Sequence, residues 1–185
     1  MTTMSTAAQA ARVRARDDVE RELLGAAARM ELTDRGWVEK ATTVGHGNLQ
    51  SHLLLRLVAL GLDPETISWG VRLTKEPTGQ WYVPDGIVVR ADNPVPADPE
   101  AIYGGVPDLA IEILSGDPET AAGRAERDRD RVEKRRAYAA RGIPHSWIVD
   151  PRPRRLAWLV LDPRQGVYVD RWEGPLAEAP APWVP

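Results

Sequence analysis

The sequence predicts an α/β fold, a mixed β-sheet with helices packed on it, and three observations carry that prediction. Strand-like runs alternate with helical segments along 185 residues. Residues 109–114 are apolar except for Glu112, which is how a strand covered on both faces reads, and residues 146–150 read as a second buried strand around Trp147, Ile148 and Val149. Neither an internal repeat nor a domain linker interrupts the pattern, and the length suits one hydrophobic core.

The elements follow in order. Residues 1–16 are rich in Ala, Arg and Thr and are expected to form a disordered arm. Residues 17–29 read as a short amphipathic helix with Val19, Leu23, Leu24 and Ala27 on one side. Residues 30–39 read as a hairpin around an Asp-Arg-Gly turn. Gly45, His46, Gly47 and Asn48 punctuate the chain before a helix over 49–60. Its leucines at 49, 53, 57 and 60 keep helical spacing, and Gly61 closes it. Strands are expected over 68–73, 81–90 and 109–114, then a long polar helix over 117–141 ended by Gly142 and Pro144. A buried strand at 146–150 stops at Pro151. Residues 155–161 and 167–172 make a second hairpin, and 174–185 is a Pro/Ala-rich tail without regular structure. A single domain over 17–173 is the organisation expected.

Composition limits the function classes. The chain has no cysteine, so disulfides and thiolate metal sites are excluded. The beginning has no apolar run of a signal peptide, and no stretch approaches the ~20 apolar residues of a membrane span, so a cytoplasmic protein is expected. Seven tryptophans and no phenylalanine point to tryptophan as core and interface filler. A net charge of −3 argues against a general nucleic-acid binder. Positive charge is concentrated between residues 124 and 141, however, where Arg127, Arg131 and Arg135 are candidate contacts for a nucleic-acid backbone. A solvated helix face with internal Glu/Arg pairs is the other reading of that segment.

Two carboxylates stand in apolar surroundings. Asp85 lies in the run Tyr82 to Val89, and Glu112 sits between Ile111 and Ile113. An ionised carboxylate buried alone costs several kcal/mol, so each must be paired, hydrogen-bonded or metal-bound. On neighbouring strands they could converge on one cation, and oxygen ligands favour Mg²⁺ or Mn²⁺. Asp108 shares strand parity with Glu112 but would stand about 13 Å from it, so it reads as a strand-entry residue. Asp130, Lys134 and Tyr138 are spaced i, i+4, i+8 and align on one helix face. Lys134 could lean over the strand ends toward a phosphate, or Asp130 and Lys134 could form a surface pair worth about 0.3–0.5 kcal/mol.

Taken in order, Pro84-Asp85, the run Pro107 to Ser115, Asp130 to Lys134 with Tyr138, and Gly142 to Pro151 resemble the Uma family of putative restriction endonucleases. Glu31-Leu32, Gly36 to Glu39 and His46 resemble the same family's upstream hairpin and the start of its first core helix. The likeness implies a restriction-endonuclease-like core, α-β-β-β-α-β, of the PD-(D/E)xK superfamily, here with an N-terminal hairpin and extra C-terminal strands. It implies Asp85 and Glu112 as the motif acids, with the Ile113 carbonyl as a further metal ligand. The lysine expected two residues after Glu112 is Leu114 here, and the likeness places that role on Lys134. The implied activity is Mg²⁺-dependent (or Mn²⁺-dependent) hydrolysis of DNA, with His46, Asp130, Tyr138 and Ser115 in support. His46 could instead cap or pack its helix, and Ser115 has no partner arrangement of a nucleophile. A homodimer reaching both strands is one assembly this implies. The alternative is a catalytically inactive relative acting as a DNA-binding or regulatory module, for which Leu114 and the acidic total speak. A scaffold whose buried acids pair with the Arg-rich helix is a third.

Overall fold

The computed structural model describes residues 30–33, 36–39, 44–73, 81–97 and 103–182. The expected arm and the helix over 17–29 lie outside these residues, as does the tip of the first hairpin.

β1 (Met30–Thr33) and β2 (Gly36–Glu39) pair antiparallel as a separate two-stranded ribbon, with Glu31 opposite Val38. α1 (Val44–Ala59) follows. The main sheet has six strands in the order β3 (Ile67–Trp69), β4 (Gly86–Val88), β5 (Leu109–Ile113), β6 (His145–Asp150), β7 (Arg155–Asp162) and β8 (Val167–Pro175). Every neighbouring pair is antiparallel except β5 and β6. A parallel pair needs a crossover. Here it is α2 (Ala121–Asp128), a π-helical turn (Arg129–Glu133) and α3 (Lys134–Arg141).

Alternation along the strands sorts side chains to two cores. Leu109, Ile111, Ile113, Trp147 and Val149 meet Leu49, Leu53 and Leu57 of α1. Ala110, Leu114, Ile87 and Ile148 meet Ala137 and Tyr138 of α3 on the other face. β5 is therefore covered on both sides, as its apolar run predicts, and each fully buried leucine or isoleucine contributes about 1.5–3 kcal/mol. Glu112 has the parity of Ala110 and Leu114, which aims it at α3.

Several boundaries differ from expectation. α1 begins at Val44, so Gly45 to Asn48 form its first turns and do not interrupt the chain. The strands expected over 68–73 and 81–90 shrink to Ile67–Trp69 and Gly86–Val88, with an isolated bridge from Leu73 to Tyr103 beyond them. The crossover helix starts at Ala121, because Asp117 accepts the N–H of Glu119 in a turn and Thr120 supplies the N-cap to Gly123. It closes as expected, with Gly142 at φ +85°. The segment expected to be an irregular tail carries β8 to Pro175 and a 3-10 turn, Leu176–Glu178, and it buries Ala179 in the α1-side core.

Candidate active site

The chain bends at Asp85 just before β4. The bend is held by its carbonyl, which accepts the N–H of Gly70 at 3.0 Å and the amide of Gln50 at 3.3 Å. Glycine follows at 86 because Trp69 packs there: a Cβ would meet its ring at 2.6 Å. The Asp85 carboxylate is 3% exposed and both oxygens are engaged. Oδ2 accepts the Ile113 N–H at 2.7 Å, and Oδ1 lies 2.8 Å from Nε2 of His46, in the first turn of α1. A carboxylate only accepts, so that imidazole nitrogen carries a proton.

Glu112 is also closed from solvent. Its Oε1 accepts the Tyr138 hydroxyl at 2.5 Å, and its Oε2 accepts from Nζ of Lys134 at 2.9 Å. Lys134 has no exposed surface, and two further acids hold it, Glu31 at 2.9 Å and Asp130 at 3.1 Å. Burial alone would pull its pKa down. Asp130, Glu112, Glu31 and Asp85 outweigh burial and hold the ammonium well above its usual 10.5. Asp85 thus acts on Lys134 from the adjoining strand, one position beyond the Gly86–Ile111 pair, and the three motif groups gather at one end of the sheet. Asp130 and Lys134 are not a surface pair. Asp130 lies in the π turn and Lys134 closes it, its N–H bonded to the Arg129 carbonyl; such turns often mark functional positions in helices.

Two members of this network escape sequence reasoning. Glu31, from the separate ribbon, is fully buried and also accepts the Val83 N–H at 3.1 Å. Arg129 stands 3.8 Å from Glu31 and 3.9 Å from Asp130. Burial works against its charge, but Glu31, Asp130, Glu126 and Glu112 raise its pKa above the usual value. The one available signal for Glu31 is an acid placed in register with Val38 in a four-residue strand.

A cleft of about 750 Å³ opens beside this cluster, lined among others by His46, Ile113, Ser115, Arg127, Arg152 and Arg154. Ser115 donates to Glu126 at 2.6 Å in the loop after β5. The helix arginines are engaged by protein acceptors. Arg127 pairs with Asp150, Arg131 lies 3.4 Å from the same carboxylate, and Arg135 donates to the Tyr168 carbonyl at 2.5 Å. Asp108 accepts the Arg90 N–H at 2.8 Å and the Asn93 amide at 2.9 Å, so it fastens the turn after β4, apart from the acids.

The family model for Uma2, described as putative restriction endonuclease, matches residues 17–177. The chain belongs to the Uma2 family. Its fold is also that of a crystal structure of a putative nuclease belonging to DUF820 from Anabaena variabilis ATCC 29413. The two superpose with a TM-score of 0.54 at 17% identity, over 78% of this chain and 74% of the other. No curated protein matches the sequence. Family and fold together place this Uma2 chain among nuclease-like proteins with a restriction-endonuclease-like core. Among the described residues no helix is long and apolar enough to cross a membrane.

Proposed function

We propose that this Uma2 chain is a metal-dependent endonuclease that hydrolyses phosphodiester bonds of DNA, with Asp85, Glu112 and Lys134 as its PD-(D/E)xK groups. The observation that carries the reading is the wholly buried Lys134 ammonium, 2.9 Å from Glu112 at the sheet end where Asp85 also lies.

The donor set fits a hard divalent cation. Glu31, Asp85, Glu112 and Asp130 are buried together, against Lys134, Arg129 and His46. Even with His46 counted as charged, four acids minus three cations leave one negative charge in excess among the described residues. Asp85, Glu112 and the Ile113 carbonyl would hold Mg²⁺ or Mn²⁺. No three His, Asp or Glu side chains among the described residues stand at ligand spacing, and two carboxylates suit Mg²⁺, which keeps several of its waters. The cation would lower the pKa of an attacking water and offset charge on the phosphoryl oxygens.

The chain's own groups divide the remaining work. His46 and the Ile113 N–H fix the two oxygens of Asp85, while Tyr138 fixes Glu112. Lys134 stays charged at any working pH, so it is not a general base. It serves as a fixed positive charge against the negative charge that develops on the phosphate. Glu31 and Asp130 keep that ammonium in position.

Supercoiled plasmid incubated with the protein and Mg²⁺ or Mn²⁺ tests the reading by nicking. Asp85→Asn and Glu112→Gln are expected to lower the rate about 100-fold or more while DNA binding persists. Cleavage that survives both changes would refute it. The second reading, a DNA-binding or regulatory module without catalysis, is favoured by Leu114, which is packed in the α3-side core where the motif lysine would stand. Wild-type protein that binds DNA but cuts no form of it with either ion would decide for that module.

A further inference from the structure

The cleft beside Asp85 has a far wall that the reading above leaves without a task. That wall is the β6–β7 turn, Pro151 to Arg154, closed by the pairing of Asp150 with Arg155. Arg154 has φ +50°, the one non-glycine residue with positive φ among the described residues. L-residues avoid this conformation. The turn is pinned in it by the N–H of Leu176, which donates to the Arg154 carbonyl at 2.8 Å while its side chain packs on the core. The result is an exposed guanidinium on the cleft wall with no hydrogen-bond or ionic partner among the described residues.

Arg152 stands next to it. Its contact with Asp117, at 3.2 Å, joins side chains 54% and 48% exposed, and such a pair is weak enough to exchange for a better anion. Arg127, Arg131 and Arg135 differ, because Asp150 and Tyr168 already occupy them. On the near side the cleft is lined by Gly45 and His46 in the first turn of α1, which has no acidic side chain. That end of a helix favours anions. No Phe, Tyr or Trp among the described residues lines the cleft, and of its two imidazoles that of His46 is tied to Asp85, so it offers charge more than surface for base stacking.

We propose that Arg154, assisted by Arg152, forms a second phosphate subsite. It holds a phosphodiester of the same DNA strand beside the one at Asp85 and Glu112, and guides the strand along the cleft without reading its bases. The position of the neighbouring phosphate rests on the nuclease reading; the subsite itself can be tested without cleavage.

The test is fluorescence anisotropy of a labelled DNA oligonucleotide with the full chain in EDTA, over a salt series. Arg154→Asn is the variant of choice, since asparagine tolerates positive φ and should melt no lower than wild type. Its affinity is expected to fall about tenfold. The slope of log K against log salt should become shallower by about 0.7–0.9, one phosphate contact. Arg154→Lys should keep the slope, because the charge remains. Arg164→Asn, in the turn at the opposite end of β7, should change nothing. In the cleavage assay Arg154→Asn should raise KM and leave kcat. An unchanged affinity and slope in Arg154→Asn overturns the subsite even if cleavage is robust, as does a wild type that binds no DNA. A wild type that never cleaves, with the slope change intact, overturns the nuclease reading and leaves the subsite standing.

Discussion

A tryptophan N–H can only donate, so the 3.2 Å contact from Nε1 of Trp158 to Nδ1 of His145 requires a neutral imidazole. Burial lowers the His145 pKa; Asp108 opposes that and Arg90 adds to it. The folded pKa lies below the unfolded value, so the unfolded chain takes up the proton first. Stability is then present above about pH 6.5 and is lost as pH falls below it. Urea midpoints at pH 7.5 and 5.5 should show a loss of stability at the lower pH, to which His145 contributes. His145→Asn keeps an acceptor and cannot titrate, so it should be less sensitive to acid; equal sensitivity would exclude this residue as the source. Lys134 has the opposite sign. Its raised pKa gives stability that is complete below about 10.5 and is lost only at higher pH, so it contributes no slope near neutrality. At this scale Asp85 and Glu112 are legible in the sequence, because a charge inside an apolar run must have a partner, whereas Lys134, in a polar helix, is singled out only by the family likeness. Glu31 and Arg129 are not legible, since their partners come from elements whose packing no local pattern encodes.

At the level of elements, the first turns of α1 illustrate the same limit. The leucines at 49, 53 and 57 fix the helix by their spacing, but two glycines just before them look like a break. Each glycine in a helix costs about 1 kcal/mol relative to alanine. Packing of the three leucines and the His46–Asp85 contact, 39 residues apart in sequence, offset that cost. Gly47 needs no special space, since a Cβ there would meet nothing within 4 Å. Gly47→Ala should therefore stabilise the protein by about 0.5–1 kcal/mol. Gly123 in α2 is the reverse case, because a Cβ would come within 2.1 Å of the Asp117 carbonyl oxygen. Gly123→Ala should destabilise by about 1–3 kcal/mol and disturb the loop from Ser115 to Asp117. Thermal or urea melts of the two variants check the pair. A Gly47→Ala that melts well below wild type would mean that the helix does not extend to Val44.

At the scale of the whole molecule, the one parallel pair among the strands of the described residues decides which buried groups can meet. Antiparallel neighbours need only turns, but β5 and β6 force the chain over one face of the sheet, and that crossover carries Lys134 back above Glu112. The ribbon of β1 and β2 adds Glu31 from outside the sheet. One ammonium therefore ties together three separately formed parts of the fold, and the surplus of acid around it is a standing electrostatic cost that a bound cation would relieve. Any ligand that binds the folded chain and not the unfolded one stabilises it by RT ln(1 + [L]/Kd), about 2.7 kcal/mol at a hundred times Kd. For a domain of this size that is a rise in melting temperature of about 5–10 °C. Mn²⁺ added to metal-free protein should produce such a rise, EDTA should reverse it, and the double variant Asp85→Asn, Glu112→Gln should not respond. The double variant on its own, relieved of two buried negative charges, should melt close to the metal-free wild type, which separates loss of binding from loss of fold. An equal Mn²⁺ response in wild type and double variant would put the cation elsewhere on the surface, and the buried acids would then serve only to hold Lys134.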